Sequence, residues 1–213
     1  MTVLTEDFHA GAFLVSEGNG TRSREQITVA SGQTLKAGAV IAKIAAGAIV
    51  GAAVAGNTGN GTLSAITAGN GIVPGVYKAL CVEPATNAGI FEVFAPNGVL
   101  LGKAIVAVAF AGPINFTIAD GATDFVSGDA FTITVAAGSG KYVKYDDSAA
   151  DGSDVAVGVL FAAVDASAGD AHGVAITRDA EVVTSMLIFD AGQASPAQVN
   201  ALADLAARGI IAR

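Results

Sequence analysis

The chain contains little charge, one cysteine, two histidines and no tryptophan, and each shortage excludes a class of function. Among 213 residues there are 11 Lys and Arg against 19 Asp and Glu, so the net charge is −8. Nucleic-acid binding requires clusters of Lys and Arg that neutralise phosphates, so we expect no nucleic-acid partner. The single Cys81 excludes an intrachain disulfide framework, and its apolar neighbours predict that it fills a core.

The chain also lacks an apolar run long enough to cross a membrane. Mean hydropathy is +0.58, yet no stretch of about 18 apolar residues is free of Gly, Asn or charge. Residues 1–9 have no basic segment followed by an apolar core, so they do not resemble a secretory signal. These patterns predict a soluble β protein made in the cytoplasm, with no membrane partner.

Residues for catalysis or metal binding are equally scarce. His9 and His172 lie far apart in the sequence, and neither is near another candidate ligand. The segment 138–141 resembles the end of a phosphate-binding loop but lacks its first glycine. The acidic run at 146–154 lacks the ligand spacing of a calcium loop and predicts a solvated turn. We therefore predict no enzyme activity, no catalytic residue, no metal and no cofactor.

The first 25 residues have the character of an arm rather than of a folded domain. They lie within residues 1–31, which are the most polar part of the chain and contain too few apolar residues to fold alone. Their apolar patch, Phe13-Leu14-Val15, predicts a strand only where another sheet edge supplies hydrogen bonds. We therefore predict a flexible N-terminal arm over residues 1–25.

The remaining chain contains two kinds of sequence pattern, which predict a discontinuous body interrupted by an inserted domain. Residues 26–44 and 140–213 alternate polar and apolar positions, and the strands expected on either side of the interruption would form a hairpin if it were removed. Residues 45–139 are almost free of charge and contain several turn signals. Strands are expected there at 75–82, 89–94, 104–110, 114–118 and 130–135. We predict an inserted β domain whose two ends lie close together.

The tail predicts the one helix of the chain. Ser195-Pro196-Ala-Gln198 supplies an N-cap, a first-turn proline and a capping-box glutamine. Val199, Leu202 and Leu205 repeat at helical spacing, and a glycine then ends the pattern. The apolar pair at 210–211 is expected to dock on the body or on a neighbouring subunit.

Both ends of the chain resemble the lambda-type head decoration proteins of tailed bacteriophages. In the first part the resemblance is carried by Phe8-His-x-Gly-x-Phe-Leu-x-Ser-Glu17, Ser23-Arg-Glu25, Thr28-Val29 and Gly32-x-x-Leu-x-Ala-Gly-x-Val40. In the second part it is carried by Gly140-Lys-Tyr-Val143, Val155-Ala-x-Gly-Val-Leu160, Val174-Ala-Ile-x-Arg-Asp-Ala-Glu-Val182 and the ending Leu205-Ala-Ala-x-Gly-Ile-Ile-x-Arg213. The compact members of the family lack a segment such as 45–139.

The resemblance implies a structural protein of the virion. Its fold would be a compact β-barrel-like or β-tulip body with one short C-terminal helix, here carrying an inserted antiparallel β-sandwich or barrel. It would form a homotrimer on threefold and quasi-threefold positions of the expanded head. From the outer surface it would bind the major capsid protein and hold the shell against the pressure of packed DNA.

The resemblance also implies that the arm becomes ordered on the shell, where it adds a strand to capsid-protein segments. The charged residues of the arm would equally suit a solvated loop. The arm residues expected to contact the capsid are the apolar anchors and their polar neighbours, namely Phe8, Phe13, Leu14, Val15, Ser16, Glu17, Arg22, Arg24 and Glu25.

Two other functions are compatible with parts of the sequence. The Gly/Asn-rich loops of residues 45–139 would suit a module displayed on the virion that binds carbohydrate or a cell surface, possible partners being host surface glycans. An enzyme would need a paired acid and base, but the carboxylates lie mainly in turns and none lies within an apolar run. Capsid decoration is therefore the leading hypothesis.

Overall fold

The computed structural model describes residues 8–190 and 195–213, and it is mainly β with one short C-terminal helix, as the sequence predicts. The strands are β1 Leu14–Glu17, β2 Arg24–Val29, β3 Gln33–Leu35, β4 Val40–Lys43, β5 Ala46–Ala53, β6 Thr62–Ala68, β7 Gly75–Ala85, β8 Ala88–Phe94, β9 Leu100–Ile105, β10 Ala109–Phe110, β11 Ile114–Ala119, β12 Ala130–Ala137, β13 Tyr142–Lys144, β14 Ala156–Leu160, β15 Val164–Ala166, β16 Ala171–Ile176, β17 Ala180–Val182 and β18 Ile210–Ala212. The helical segments are the single turn α1 Gly20–Ser23, a 3₁₀ turn Thr184–Met186 and the helix α2 Ser195–Ala207. Within the described ranges, no helix is long and apolar enough to cross a membrane.

Contacts within the structure group the chain into two units. The body contains Met1–Ile44 and Gly140–Arg213, and the inserted unit contains Ala45–Ser139. Each cluster of buried apolar residues lies within a single unit. Each unit therefore has an apolar core of its own.

The body is built around a closed barrel with the strand order β13-β2-β16-β14-β4. Alternation along β2 buries Ile27 and Val29 inside the barrel, where Ile41 and Leu160 meet them. Closure leaves the barrel without open sheet edges. Two smaller sheets complete the body, β15-β3 and β1-β17-β18, the latter with β17 in the middle.

The inserted unit leaves and re-enters the body at the tip of a hairpin. Strands β4 and β13 pair antiparallel, with Lys43 opposite Tyr142 and Ile41 opposite Lys144. Beyond the pair, the Gly140 N–H donates to the Ile44 carbonyl over 3.0 Å. This pairing confirms the hairpin that the sequence predicts between the two halves of the body.

The inserted unit consists of two antiparallel sheets that share one core. The sheet β5-β12-β7-β8-β9 and the sheet β10-β11-β6 both contribute to it. Aromatic rings fill its centre: the Phe91 ring lies 5.0 Å from that of Phe125, edge to face, and 5.8 Å from that of Phe131. Cys81 is buried in this core, as predicted.

One predicted strand of the inserted unit is wrong in part. Instead of a single strand at 104–110, β9 ends at Ile105 and β10 begins only at Ala109. Between them, the Val108 N–H donates to the Ile105 carbonyl over 3.0 Å, and Ala107 takes a positive φ of 63°. Val106 is buried in the core at this turn, and after the turn β10 pairs with β11.

The predicted C-terminal helix is confirmed as α2. The residues that it buries, however, are only in part those of the predicted apolar repeat Val199, Leu202 and Leu205. Ala197, Ala201 and Leu205 are buried against the body, whereas Val199 is 62% exposed. After the helix, Gly209 takes a φ of +77°, a left-handed conformation in which glycine avoids a Cβ clash. Strand β18 then pairs parallel to β17, so the apolar end docks on the body of its own chain.

Candidate functional site

The N-terminal segment is paired with the body from residue 14 onward, which differs from the expected unpaired arm. Strand β1 runs antiparallel to β17, with Leu14 opposite Val182 and Glu17 opposite Ala180. The pairing continues at both ends, where the Val183 N–H donates to the Phe13 carbonyl over 2.8 Å and the Gly18 N–H donates to the Asp179 carbonyl over 2.7 Å. The sheet edge that the apolar patch requires is therefore supplied by the same chain.

Phe13 and Leu14 belong to the core of the body rather than to its surface. Phe13 is fully buried in the cluster that includes Leu205 and Ile210 from the C-terminal segment. Leu14 is half-buried against the same cluster. Neither side chain is free to contact another protein unless this part of the body opens.

Glu17 and Arg24, expected to face the capsid, instead hold each other. The guanidinium of Arg24 donates two hydrogen bonds to the Glu17 carboxylate, and the Ser23 hydroxyl donates a third over 2.7 Å. These bonds from Arg24 and Ser23 lower the pKa of Glu17. The Arg24 guanidinium also lies 4.0 Å above the centre of the Phe161 ring, a cation–π contact.

The other polar residues of the predicted arm contact the segment around β17 in the same way. Arg22 forms an ion pair with Asp179 over 2.8 Å, and Glu25 pairs with Arg178. The Ser16 hydroxyl donates to Glu181 over 2.8 Å. In the isolated chain these polar contacts therefore join residues 16–25 to the segment around β17.

Two of the expected anchors remain exposed. Phe8 is 42% and Val15 is 53% exposed. Val15 lies on β1, an edge strand of the β1-β17-β18 sheet, and Ile211 is also exposed on the other edge strand. Residues 1–7, the beginning of the predicted arm, lie outside the described residues. The exposed region formed by Phe8 and the outer edge of β1, here called the β1 edge, is the candidate binding site.

The described residues contain no group of three or more side chains suited to hold a metal ion. Burial raises the pKa of the Cys81 thiol, which disfavours a reactive thiolate. In the acidic turn, Asp146 accepts a bond from the Ser148 hydroxyl over 2.7 Å, and Asp151 accepts one from Ser153 over 2.6 Å. These carboxylates shape the turn.

The Asn-rich loop of the inserted unit uses its polar groups internally. Asn57 both donates to and accepts from the backbone of Ala130, at 2.8 and 2.9 Å. Asn60 accepts from the Thr123 N–H over 2.9 Å. The buried Asp129 carboxylate accepts from the N–H groups of Thr58, Gly59 and Val126. No observation in this loop favours a carbohydrate site.

Solved structures offer little guidance. Two crystal forms of FlgL from Xanthomonas campestris align with 47% and 45% of this chain, at 18% identity and TM-scores of 0.34 and 0.33. The alignments cover 33% and 31% of those proteins, so this chain spans about a third of their length. A likeness this low carries no argument. Among curated proteins, no match is found.

A family model gives a clear result. The model of the bacteriophage lambda head decoration protein D matches residues 3–73 and 86–210. The match spans most of the chain, covers the segments that carry the resemblance noted above as far as residue 210, and confirms that resemblance. It does not confirm that residues 45–139 are an inserted domain. Proteins of this family are structural components of the phage head. The chain therefore belongs to the bacteriophage lambda head decoration protein D family and is a capsid protein of a phage virion.

Proposed function

We propose that the protein assembles as a homotrimer on threefold and quasi-threefold positions of the expanded head, on its outer surface, and stabilises the shell against internal DNA pressure. The family match is the observation that carries this proposal. The chain is made in the host cytoplasm and then binds the major capsid protein.

The capsid-binding surface is narrower in this proposal than the whole of residues 1–25. It consists of residues 1–7 and the β1 edge, which includes Phe8. An edge strand presents unpaired N–H and C=O groups on one side, and a capsid-protein segment can add a strand there. Val15 and Phe8 then supply apolar contacts beside the added backbone hydrogen bonds.

Trimer formation would allow weak contacts to act as a durable clamp. A trimer carries three copies of the β1 edge, so release of one copy leaves the other two attached. The detached copy rebinds at a high effective concentration, and affinity for the shell rises without any new contact. Each single contact can therefore remain weak.

The test combines oligomeric mass with binding to expanded empty capsids of the same phage. The purified protein is expected to sediment as a trimer and to co-sediment with these capsids. Deletion of residues 2–7 together with Phe8→Ala is expected to leave the trimer folded and to weaken co-sedimentation, because only the outer edge of β1 then remains for attachment. Val199→Ala, an exposed position on α2, is the matched control and is expected to bind as the unmodified chain does.

A monomer that fails to bind the capsids would contradict the proposal. Full binding by the shortened variant would contradict the part of the proposal that assigns residues 2–8 to the contact. Deletion of the longer segment 1–17 is not a suitable test, because it removes the buried Phe13 and the strand β1.

A further inference from the structure

The sheet β5-β12-β7-β8-β9 of the inserted unit has one face on the core and one face uncovered. Residues paired across antiparallel strands point to the same side of a sheet. The pairs that join Phe131 to Ala79 and Ala79 to Val93 define the buried face. The intervening residues therefore form the opposite face, here called the outer face.

The outer face is largely apolar. Its exposed aliphatic side chains are Val50, Val76, Leu100 and Ile105, which are 64%, 50%, 50% and 49% exposed. Val50 and Val76 flank Thr134 in one row across three strands. Small and β-branched side chains of this kind make a flat surface suited to packing against a second sheet about 10 Å away.

The area of the outer face matches the requirement of a weak but specific pairing. Five strands about 4.8 Å apart and about six residues long give a face of about 24 by 20 Å, or about 500 Å². Two stacked faces bury about 1,000 Å² in total, which is the lower limit for specific protein interfaces. Uncovered apolar patches of several hundred Å² typically mark interaction sites.

The charges on the outer face are self-complementary. Lys78 and Glu92 lie on the neighbouring strands β7 and β8 in adjacent rows, because Lys78 pairs with Phe94 and Leu80 pairs with Glu92. A twofold axis midway between the two charges exchanges their positions. Lys78 of one copy then lies over Glu92 of the second copy, and the reverse contact forms by symmetry.

We propose that the outer face pairs with the outer face of a second copy of this chain, around such a twofold axis. The charges favour this occupant over a strongly charged partner. The positive charges of Lys78 and Lys103 are balanced by Glu92, which lies opposite Lys103, and by Glu83, which forms an ion pair with Lys103 over 2.9 Å. A nearly neutral apolar sheet is best matched by a surface of the same composition.

The pairing does not require the body to be a trimer, but it has a consequence if the proposed trimer forms. Twofold pairing uses copies two at a time, so three inserted units cannot all pair within one trimer. The contact then links a trimer to its neighbours. A weak contact suits this role, because each trimer would be held to several others at once.

The first test uses the full-length chain in sedimentation equilibrium. As concentration rises towards about 0.1 mM, the mass is expected to at least double from its low-concentration value, in keeping with a small interface. A monomer would stop at twice that value, whereas a trimer with three inserted units would continue beyond it. Val76→Asp places an unpaired charge in the interface and is expected to weaken this association about tenfold or more. Val199→Asp, at a similarly exposed position on the body, is the control and is expected to change nothing.

Several results of this test would overturn the pairing. One is a mass that does not rise up to about 1 mM, well beyond the range expected for an interface of this size. Another is association of Val76→Asp equal to that of the unmodified chain. Far-UV circular dichroism confirms that the variants are folded. Binding to empty capsids is expected to persist in Val76→Asp, so loss of pairing is distinguishable from loss of the proposed capsid attachment.

The second test uses the two charges. Lys78→Glu and Glu92→Lys each place like charges opposite each other in a self-pair. An exposed ion pair changes affinity by a factor of about 2 to 5, and symmetry doubles each contact, so a loss of about 4- to 25-fold is expected for each variant. A mixture of the two variants restores opposite charges and is expected to associate again. A mixture no stronger than either variant alone would overturn the twofold arrangement.

Discussion

Phe13 and Val15 lie two residues apart, but substitutions at them are expected to change different properties: the stability of the body for Phe13 and attachment to the capsid for Val15. Phe13 is fully buried beside Leu205 and Ile210, whereas the side chain of Val15 is more than half exposed. Removing a buried phenylalanine side chain costs about 3–5 kcal/mol. Phe13→Ala is therefore expected to remove a large part of the stability of the body, which for a domain totals about 5–15 kcal/mol.

Val15→Ala removes only surface contacts. Such changes stay within about 0.5 kcal/mol in the free energy of unfolding. Its expected effect is on attachment, because Val15 lies on the β1 edge. We expect weaker co-sedimentation with expanded capsids at unchanged stability.

Urea unfolding followed by far-UV circular dichroism measures the first effect. Because the body and the inserted unit have separate cores, Phe13→Ala is expected to shift the transition of the body alone. Phe91→Ala, at the centre of the other core, is the matched control for the inserted unit. If Phe13→Ala changed the free energy of unfolding of the body by less than about 0.5 kcal/mol while abolishing capsid binding, Phe13 would be a capsid anchor and the reasoning here would be wrong.

Three further outcomes are expected. Joining Ile44 to Gly140 through a short Gly-Asn turn is expected to leave a folded body, since the two residues are already hydrogen-bonded; an unfolded product in circular dichroism would contradict this. Burial alone would raise the pKa of Asp129, but its three backbone hydrogen bonds lower it, so Asp129→Asn is expected to destabilise the inserted unit by about 2 kcal/mol at pH 7. The ionised Asp129 carboxylate stabilises the fold fully above its unfolded pKa of about 4, and this stabilisation is lost as pH falls through its lowered folded pKa. The difference in free energy of unfolding between Asp129→Asn and the unmodified chain should therefore disappear at low pH. A difference in urea unfolding that stays constant with pH would contradict the assignment. Gly61→Ala would place a Cβ 2.3 Å from the Phe125 ring and is expected to lower the melting temperature of the inserted unit; an unchanged value would show that the loop can move away.

Local pattern was sufficient to predict much of the fold. Strands β7, β8, β11 and β12 contain β-branched and aromatic residues that alternate and are bounded by turn residues, and each was expected near its observed position. The hairpin between β4 and β13 was inferred across the intervening segment because both halves keep the same alternation. Strand β5 was missed because Ala46–Ala53 is mostly Ala and Gly, and its side chains show no alternation of polarity. Its pairing with β12 depends on distant residues.

The N-terminal segment was only partly predictable for the same reason. The need of Phe13-Leu14-Val15 for a sheet edge was visible in the sequence. The edge itself is β17, more than a hundred residues further along the chain. Arg22 and Glu25 find their partners at Asp179 and Arg178, and no local pattern indicates ion pairs over such a separation. A polar segment with a few apolar residues has the same composition whether its partner edge is in another chain or in its own.

The hairpin-tip position of the inserted unit favours an order of folding. In an unfolded chain, pairing β4 with β13 closes a loop of about 95 residues, which costs about 3 kcal/mol more than closing a four-residue turn. Once the inserted unit has folded, its ends lie side by side, with the Gly138 N–H 2.8 Å from the Ala45 carbonyl oxygen. The barrel strands then meet as if joined by a short turn. The barrel is therefore expected to form fastest after the inserted unit has folded. The refolding rate of the barrel then depends on the core of the inserted unit, although no side chain of the barrel belongs to that core.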